Sequence, residues 1–167
     1  MVRRIVLSIW MTIVVNMAIG QELKMITDFD PLIDQTWEIT GKWANGLDFK
    51  QEMILKKEAF GTIITADTKG YLNNDQTEWG PRNHGIRQID EKTGKIMFYE
   101  FDAFGRMTKG EVQIINKDFY YIYEYEGMTL CDKWEYVDEE YYKYIIGSYK
   151  EGAFEEIYLE GRVIKKE

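Results

Sequence analysis

From residue 36 onward the chain is a series of short runs in which apolar and polar residues alternate, broken about every ten to fifteen residues by Gly, Asn, Asp or Lys. A period of two marks half-buried β-strands, and helical periodicity is almost absent. Ten runs can be drawn: Thr36 to Trp43, Phe49 to Lys56, Gly61 to Thr68, Trp79 to Asp90, Lys95 to Phe104, Gly110 to Asn116, Phe119 to Glu126, Thr129 to Val137, Tyr141 to Tyr149 and Phe154 to Val163. Several links, such as KTGK, NKD and EGM, are hairpin-sized. Links that short join adjacent antiparallel strands. A meander of this length either closes or leaves two long edges bare, and closure removes the aggregation hazard. The expected fold is therefore all-β: an antiparallel, mostly up-and-down barrel of about eight to ten strands, preceded by a short helix. For that helix, TDFDPLIDQ offers Asp30 as N-cap and Pro31 at the first helical position.

The first twenty residues read as a signal peptide: Arg3 and Arg4 precede an apolar run from Ile5 to Val15, and Ala18 and Gly20 suit cleavage before Gln21. The run is shorter than the roughly 20 residues that a membrane span needs. Residues 21–167 then form one barrel domain, expected to be secreted or periplasmic and to have no integral membrane association after cleavage. Removing the two arginines takes the formal charge from −8 to −10, a balance that disfavours nucleic acid and anionic lipid as partners. Cys131 is the single cysteine, so no intramolecular disulfide forms, and a small apolar residue within a strand is its expected role.

Ten of the twelve tyrosines lie between positions 120 and 158, concentrated on neighbouring strands. In FYYIYEYEG, Phe119, Tyr121, Tyr123 and Tyr125 share one face. If that face is inward, three hydroxyls enter the barrel and need partners, for which Asp132 and Arg87 are candidates. Arg87 shares parity with Gly85 and Ile89, which also points it inward, where it requires a carboxylate such as Asp102. In KIMFYEFDAF the alternation sets Met97, Tyr99, Phe101 and Ala103 against Glu100 and Asp102. Leu130, Trp134 and Tyr136 share a face with Asp132, and Tyr142, Tyr144 and Ile146 line the next strand.

At TWEITGKW the chain resembles the lipocalin-like, or calycin-type, barrels of secreted bacterial proteins, in which a short helix precedes a first strand bearing Gly-x-Trp. Here the triplet is Gly41-Lys42-Trp43, with Trp37 as a second candidate for the tryptophan that closes the barrel floor. The resemblance implies that a basic residue near the last strand packs over that tryptophan, and Arg162 stands where it would lie. No Thr-Asp-Tyr motif or cysteine pair accompanies it.

Catalytic chemistry is sparse. His84, the only histidine, sits in the Gly-Pro-rich stretch EWGPRNHGIRQID. One histidine and one cysteine supply neither a nucleophile-base triad nor a zinc or copper site, and no haem-ligating histidine is expected. The acidic clusters DFDPLID and NNDQTE lack EF-hand spacing and read as turns. Carboxylates are too numerous for spacing to single out a glycosidase pair. No catalytic residue, metal or cofactor is therefore assigned. The preferred function is binding of a small hydrophobic, amphipathic or aromatic molecule in a tyrosine-rich cavity. Tyr99, Tyr121, Tyr123, Tyr125 and Trp134 would supply rings and hydroxyls, and Arg87 would steer an acidic group. The alternatives are a noncatalytic interaction module using an aromatic outer face or an edge strand, and a cofactor-free isomerase or hydrolase.

Overall fold

Two-residue turns set the strand pairing. Asn116 and Lys117 (φ 52° and 73°), Glu126 and Gly127 (φ 50° and 81°), and Glu151 and Gly152 (φ 51° and 87°) are all left-handed pairs. That geometry matches the right-handed twist of the strands it joins. The computed structural model describes residues 23–166, so the expected leader over residues 1–20 lies outside the described residues. Ten strands follow: β1 (Thr36–Trp43), β2 (Asp48–Glu58), β3 (Ile63–Tyr71), β4 (Trp79–Ile89), β5 (Ile96–Asp102), β6 (Met107–Ile115), β7 (Asp118–Tyr125), β8 (Met128–Asp138), β9 (Tyr141–Lys150) and β10 (Ala153–Lys165). Each pairs antiparallel with the next, and β1 pairs with β10 from Trp37↔Lys165 to Trp43↔Leu159, closing the barrel. Closure satisfies every strand laterally and, among the described residues, leaves no free edge for strand addition.

One end of the barrel is a packed floor. Ile26, Phe29 and Leu32, from the segment ahead of β1, are buried against Trp37, Leu55, Ile64, Phe119 and Tyr142. The Ile26 N–H donates to the Gly61 carbonyl at 2.8 Å and the Trp37 indole N–H to the Leu32 carbonyl at 3.1 Å. Trp37 meets Tyr142 edge-on with centroids 5.6 Å apart, and Phe29 lies 5.1 Å from Phe119. Each such pair adds about 0.5–1.5 kcal/mol beyond the area it buries.

Two expectations for this end are corrected, and the choice between two candidate tryptophans is made. In place of a short helix capped by Asp30, the chain makes one 3-10 turn, Asp30–Leu32, whose cap is Phe29 and carries no side-chain hydrogen bond. Asp30 instead pairs with Lys57 at 2.5 Å. The floor tryptophan is Trp37, fully buried, while Trp43 stands at the opposite end against Phe49. Arg162 covers neither. It pairs in register with Thr40 on the outer face and donates from Nε to Thr40 Oγ1 at 3.3 Å.

The outer face carries ion pairs between strands, such as Lys50–Glu38 at 2.9 Å, Lys143–Glu135 at 2.9 Å and Lys133–Asp118 at 3.0 Å. Cys131 is 0% exposed, and burial pushes its thiol up to about 12. A thiol that is both covered and protonated is inert. In native buffer Cys131 should resist a bulky disulfide reagent for hours and react at once in denaturant. Rapid labelling of the folded protein would show that this wall opens.

Candidate functional site

Strand parity brings one charged pair into the barrel. On β4, Gly85, Arg87 and Ile89 face inward, and Arg87 is 2% exposed. Its Nη2 donates to Glu100 Oε1 on β5, and its guanidinium lies over the Tyr121 ring, 5.3 Å from the centroid. The pair needs room on the strand wall, and Gly85 provides it. A Cβ at Gly85 would overlap Arg87 Nη1 and Glu100 Oε1. Gly110 on β6 plays the same part for Phe98, whose Cε1 would lie 2.7 Å from a Cβ there. A glycine inside a strand often marks such a close approach. Arg87 Nε, Arg87 Nη1 and Glu100 Oε2 are buried without a protein partner.

A second polar group faces this pair. Asp132 on β8 is paired in register with Tyr121 and Ile146 and accepts from the Tyr123 hydroxyl at 2.9 Å and the Tyr144 hydroxyl at 3.3 Å. Burial raises its carboxyl to about 6, the two phenols pull it back, and the charge of Glu100 adds to the rise. Burial and the neighbouring carboxylate raise both phenols, which therefore stay protonated as donors.

Between these groups lies a cavity of about 180 Å³. Phe98, Tyr121, Tyr123, Trp134 and Tyr144 supply its rings, Ile39 and Met53 its aliphatic wall, and Gln51, Thr68, Asn83 and Thr108 its neutral polar lining. Arg87, Glu100 and Asp132 are its charged residues. Gln51 also borders a wider basin of about 650 Å³ at the barrel mouth, lined in part by Phe49, Tyr71, Arg82, Phe104 and Arg106.

The structure thus brings together Arg87, Tyr121, Tyr123 and Trp134 of the residues singled out from sequence. Tyr99 and Tyr125 stand apart. Tyr99 is paired with Ile86 and Lys109 on the outer face, because Phe98 and Glu100 hold the inward parity of β5. Tyr125 is 44% exposed at the mouth, one pleat beyond Tyr123. Arg87 meets Glu100, not Asp102, which instead accepts from the Phe104 and Arg106 N–H groups at 2.9 Å and pairs with Arg106. The cations of the Arg82 to Arg87 stretch are dispersed. Arg82 lies at the mouth on the Tyr71 carbonyl, and His84 points outward to Asp67 at 2.8 Å. Glu100 is the residue that sequence reasoning set on the wrong face, and an inward Arg87 one strand away was the signal for it. Among the described residues no group of three His, Cys, Asp or Glu side chains is placed to hold a metal ion.

No protein-family model matches the chain, and no curated protein matches it in sequence. Solved structures of similar shape exist. Rv2717c from M. tuberculosis aligns with a TM-score of 0.50 at 9% identity, over 86% of this chain and 100% of that one. A de novo designed fluorescence-activating β-barrel aligns with a TM-score of 0.44 at 13% identity, over 84% of this chain and 100% of its own. At these identities the likeness concerns the fold alone.

Two outcomes follow from the buried charges. Gly85→Ala forces the Arg87–Glu100 pair apart and should cost about 2–3 kcal/mol in chemical denaturation; a loss below about 0.5 kcal/mol would mean that the pair lies elsewhere. The Asp132 carboxyl titrates higher in the folded chain than in the unfolded one. Its contribution to stability is therefore full below about pH 4 and lost as pH rises to about 6. Asp132→Asn removes this titration while keeping an acceptor for the phenols. Between about pH 4 and pH 7 the variant should gain about 2–3 kcal/mol relative to the parent, and parallel pH profiles would contradict the assignment.

Proposed function

We propose that this chain is an exported, lipocalin-like binding protein that holds a small single-ring molecule inside the barrel, among Tyr121, Tyr123, Trp134 and Tyr144. The observation that carries the reading is the combination of an internal space of about 180 Å³ with buried polar atoms that lack a protein partner. An apolar cavity of about 150 Å³ accepts benzene, so the space suits one ring with a short substituent. Aromatic walls with a few directing groups are the usual make-up of a small-molecule site. Closure of the sheet disfavours the rival in which a partner strand adds to an edge, and His84 on the outer face leaves the cavity lining without a histidine base for catalysis. Ion pairs along the outside of β1, β2, β8 and β9 support a barrel that faces water.

Native mass spectrometry of the protein purified from its own host should show a retained compound of this size, and titration of the emptied protein should change the fluorescence of Trp134. Thr108→Phe fills the cavity from β6. It should abolish retention and leave the melting temperature within a few degrees. Failure of both the retained mass and every single-ring titrant would overturn the reading, as would undiminished binding by Thr108→Phe.

A further inference from the structure

The cavity lining holds one cation and two carboxylates. Arg87 is answered by Glu100, and its guanidinium stays charged in any protein environment. Asp132 is met only by the neutral hydroxyls of Tyr123 and Tyr144. When all three groups are ionised, the interior carries one surplus negative charge. A buried charge without a counter-ion is costly, and the cost falls when a bound molecule supplies the missing sign.

We infer that the molecule held here is a monocation, a protonated amine on a single ring, with its ammonium group at Asp132 and its ring among Tyr121, Tyr123, Trp134 and Tyr144. The inference rests on the binding reading above and names the ligand class for that site. Three observations converge on it. The surplus carboxylate supplies the counter-charge. The cavity is lined by aromatic rings, whose faces carry negative quadrupoles that attract cations, and Arg87 already uses the Tyr121 face in this way at 5.3 Å. Glu100 Oε2, buried and unpartnered, offers a second acceptor to an ammonium N–H. Arg87 does not redirect the preference, since its charge is spent on Glu100; its unpartnered Nε and Nη1 suit a neutral oxygen on the same molecule.

The titratable and charged groups that line the cavity with Asp132 are Tyr121 and Tyr123 from β7, Tyr144 from β9, Glu100 from β5 and Arg87 from β4; of these the Tyr123 and Tyr144 hydrogen bonds lower its carboxyl and the charge of Glu100 raises it. Cys131 and Lys133 flank it in sequence, and Lys133 is engaged on the outer face by Asp118 and Glu135. With its carboxyl raised to about 6, Asp132 presents its charge fully only above that pH, so an amine binds with release of a proton under mildly acidic conditions. The competing choice is an anion drawn by Arg82 and Arg106, which flank the Phe104 ring at 5.5 and 5.4 Å. Both lie at the mouth and outside the cavity lining, and Arg106 is paired with Asp102 at 2.7 Å.

The test uses the full folded chain and three probes that share a phenyl ring: 2-phenylethylamine, 2-phenylethanol and phenylacetate, titrated calorimetrically. At about pH 7.5 the amine should bind at least about tenfold more tightly than either of the others, and about tenfold more weakly at pH 5. Asp132→Asn should lower amine affinity at least about tenfold and leave the alcohol within about threefold. Equal or tighter binding of the alcohol or of phenylacetate would overturn the charge assignment and leave the cavity reading standing. So would amine affinity that is unchanged by pH or by Asp132→Asn. Binding by none of the three would overturn the cavity reading, and this inference with it.

Discussion

A guanidinium withdrawn from water must be answered by a carboxylate, and the Arg87–Glu100 pair imposes that requirement on the middle of this barrel. Desolvation costs several kcal/mol for each ion, so the two strands that carry them have little freedom in how they face each other. With Glu100 turned inward, Phe98 follows it in and Tyr99 and Phe101 turn out. Gly85 keeps the β4 wall clear for the pair, and Gly110 keeps β6 clear for the Phe98 ring. Parity on β4, β5 and β6 is thus one decision, taken by a single ion pair.

The aromatic wall is graded along the barrel axis. On β7, Phe119 belongs to the dry floor with Phe29 and Tyr142, Tyr121 lies beside the arginine, Tyr123 donates to Asp132, and Tyr125 reaches solvent. Toward the mouth, ring packing gives way to a cation over a ring, then to a hydroxyl on a carboxylate, then to solvent. Tyrosines suit this middle zone because their rings fill a wide interior while their tips satisfy a buried carboxylate. What remains after that satisfaction is a small space bordered by rings and by one carboxylate that no protein cation neutralises.

Much of this architecture was legible from residue order. The first strand, Thr36–Trp43, is read from sequence without error, and the tight turns at residues 116–117 and 126–127 foretell the meander. Closure was an argument from edges, and the β1–β10 register shows it. Faces were legible where one alternate set was plainly apolar or ring-bearing, as in Tyr142, Tyr144 and Ile146. They were not legible in IMFYEFD, where both sets carry large apolar residues and the charged residue that marks a solvent face elsewhere is drawn inward by an arginine on another strand. That is a tertiary cause, and alternation within one strand cannot register it. The floor tryptophan was ambiguous for a similar reason: Trp37 and Trp43 share parity, and only the docking of Phe29 and Leu32 distinguishes the two ends.

The assignment of a cationic ligand to this cavity stands or falls on the ionisation of one side chain. Carboxyl carbon NMR of the free protein, labelled at aspartate and assigned by comparison with Asp132→Asn, reads that ionisation directly. A midpoint near 6 for Asp132 is the result expected of a buried carboxylate held by two phenols, with the charge of Glu100 nearby. A midpoint at or below about 4, the value of a solvated or cation-paired aspartate, would contradict it.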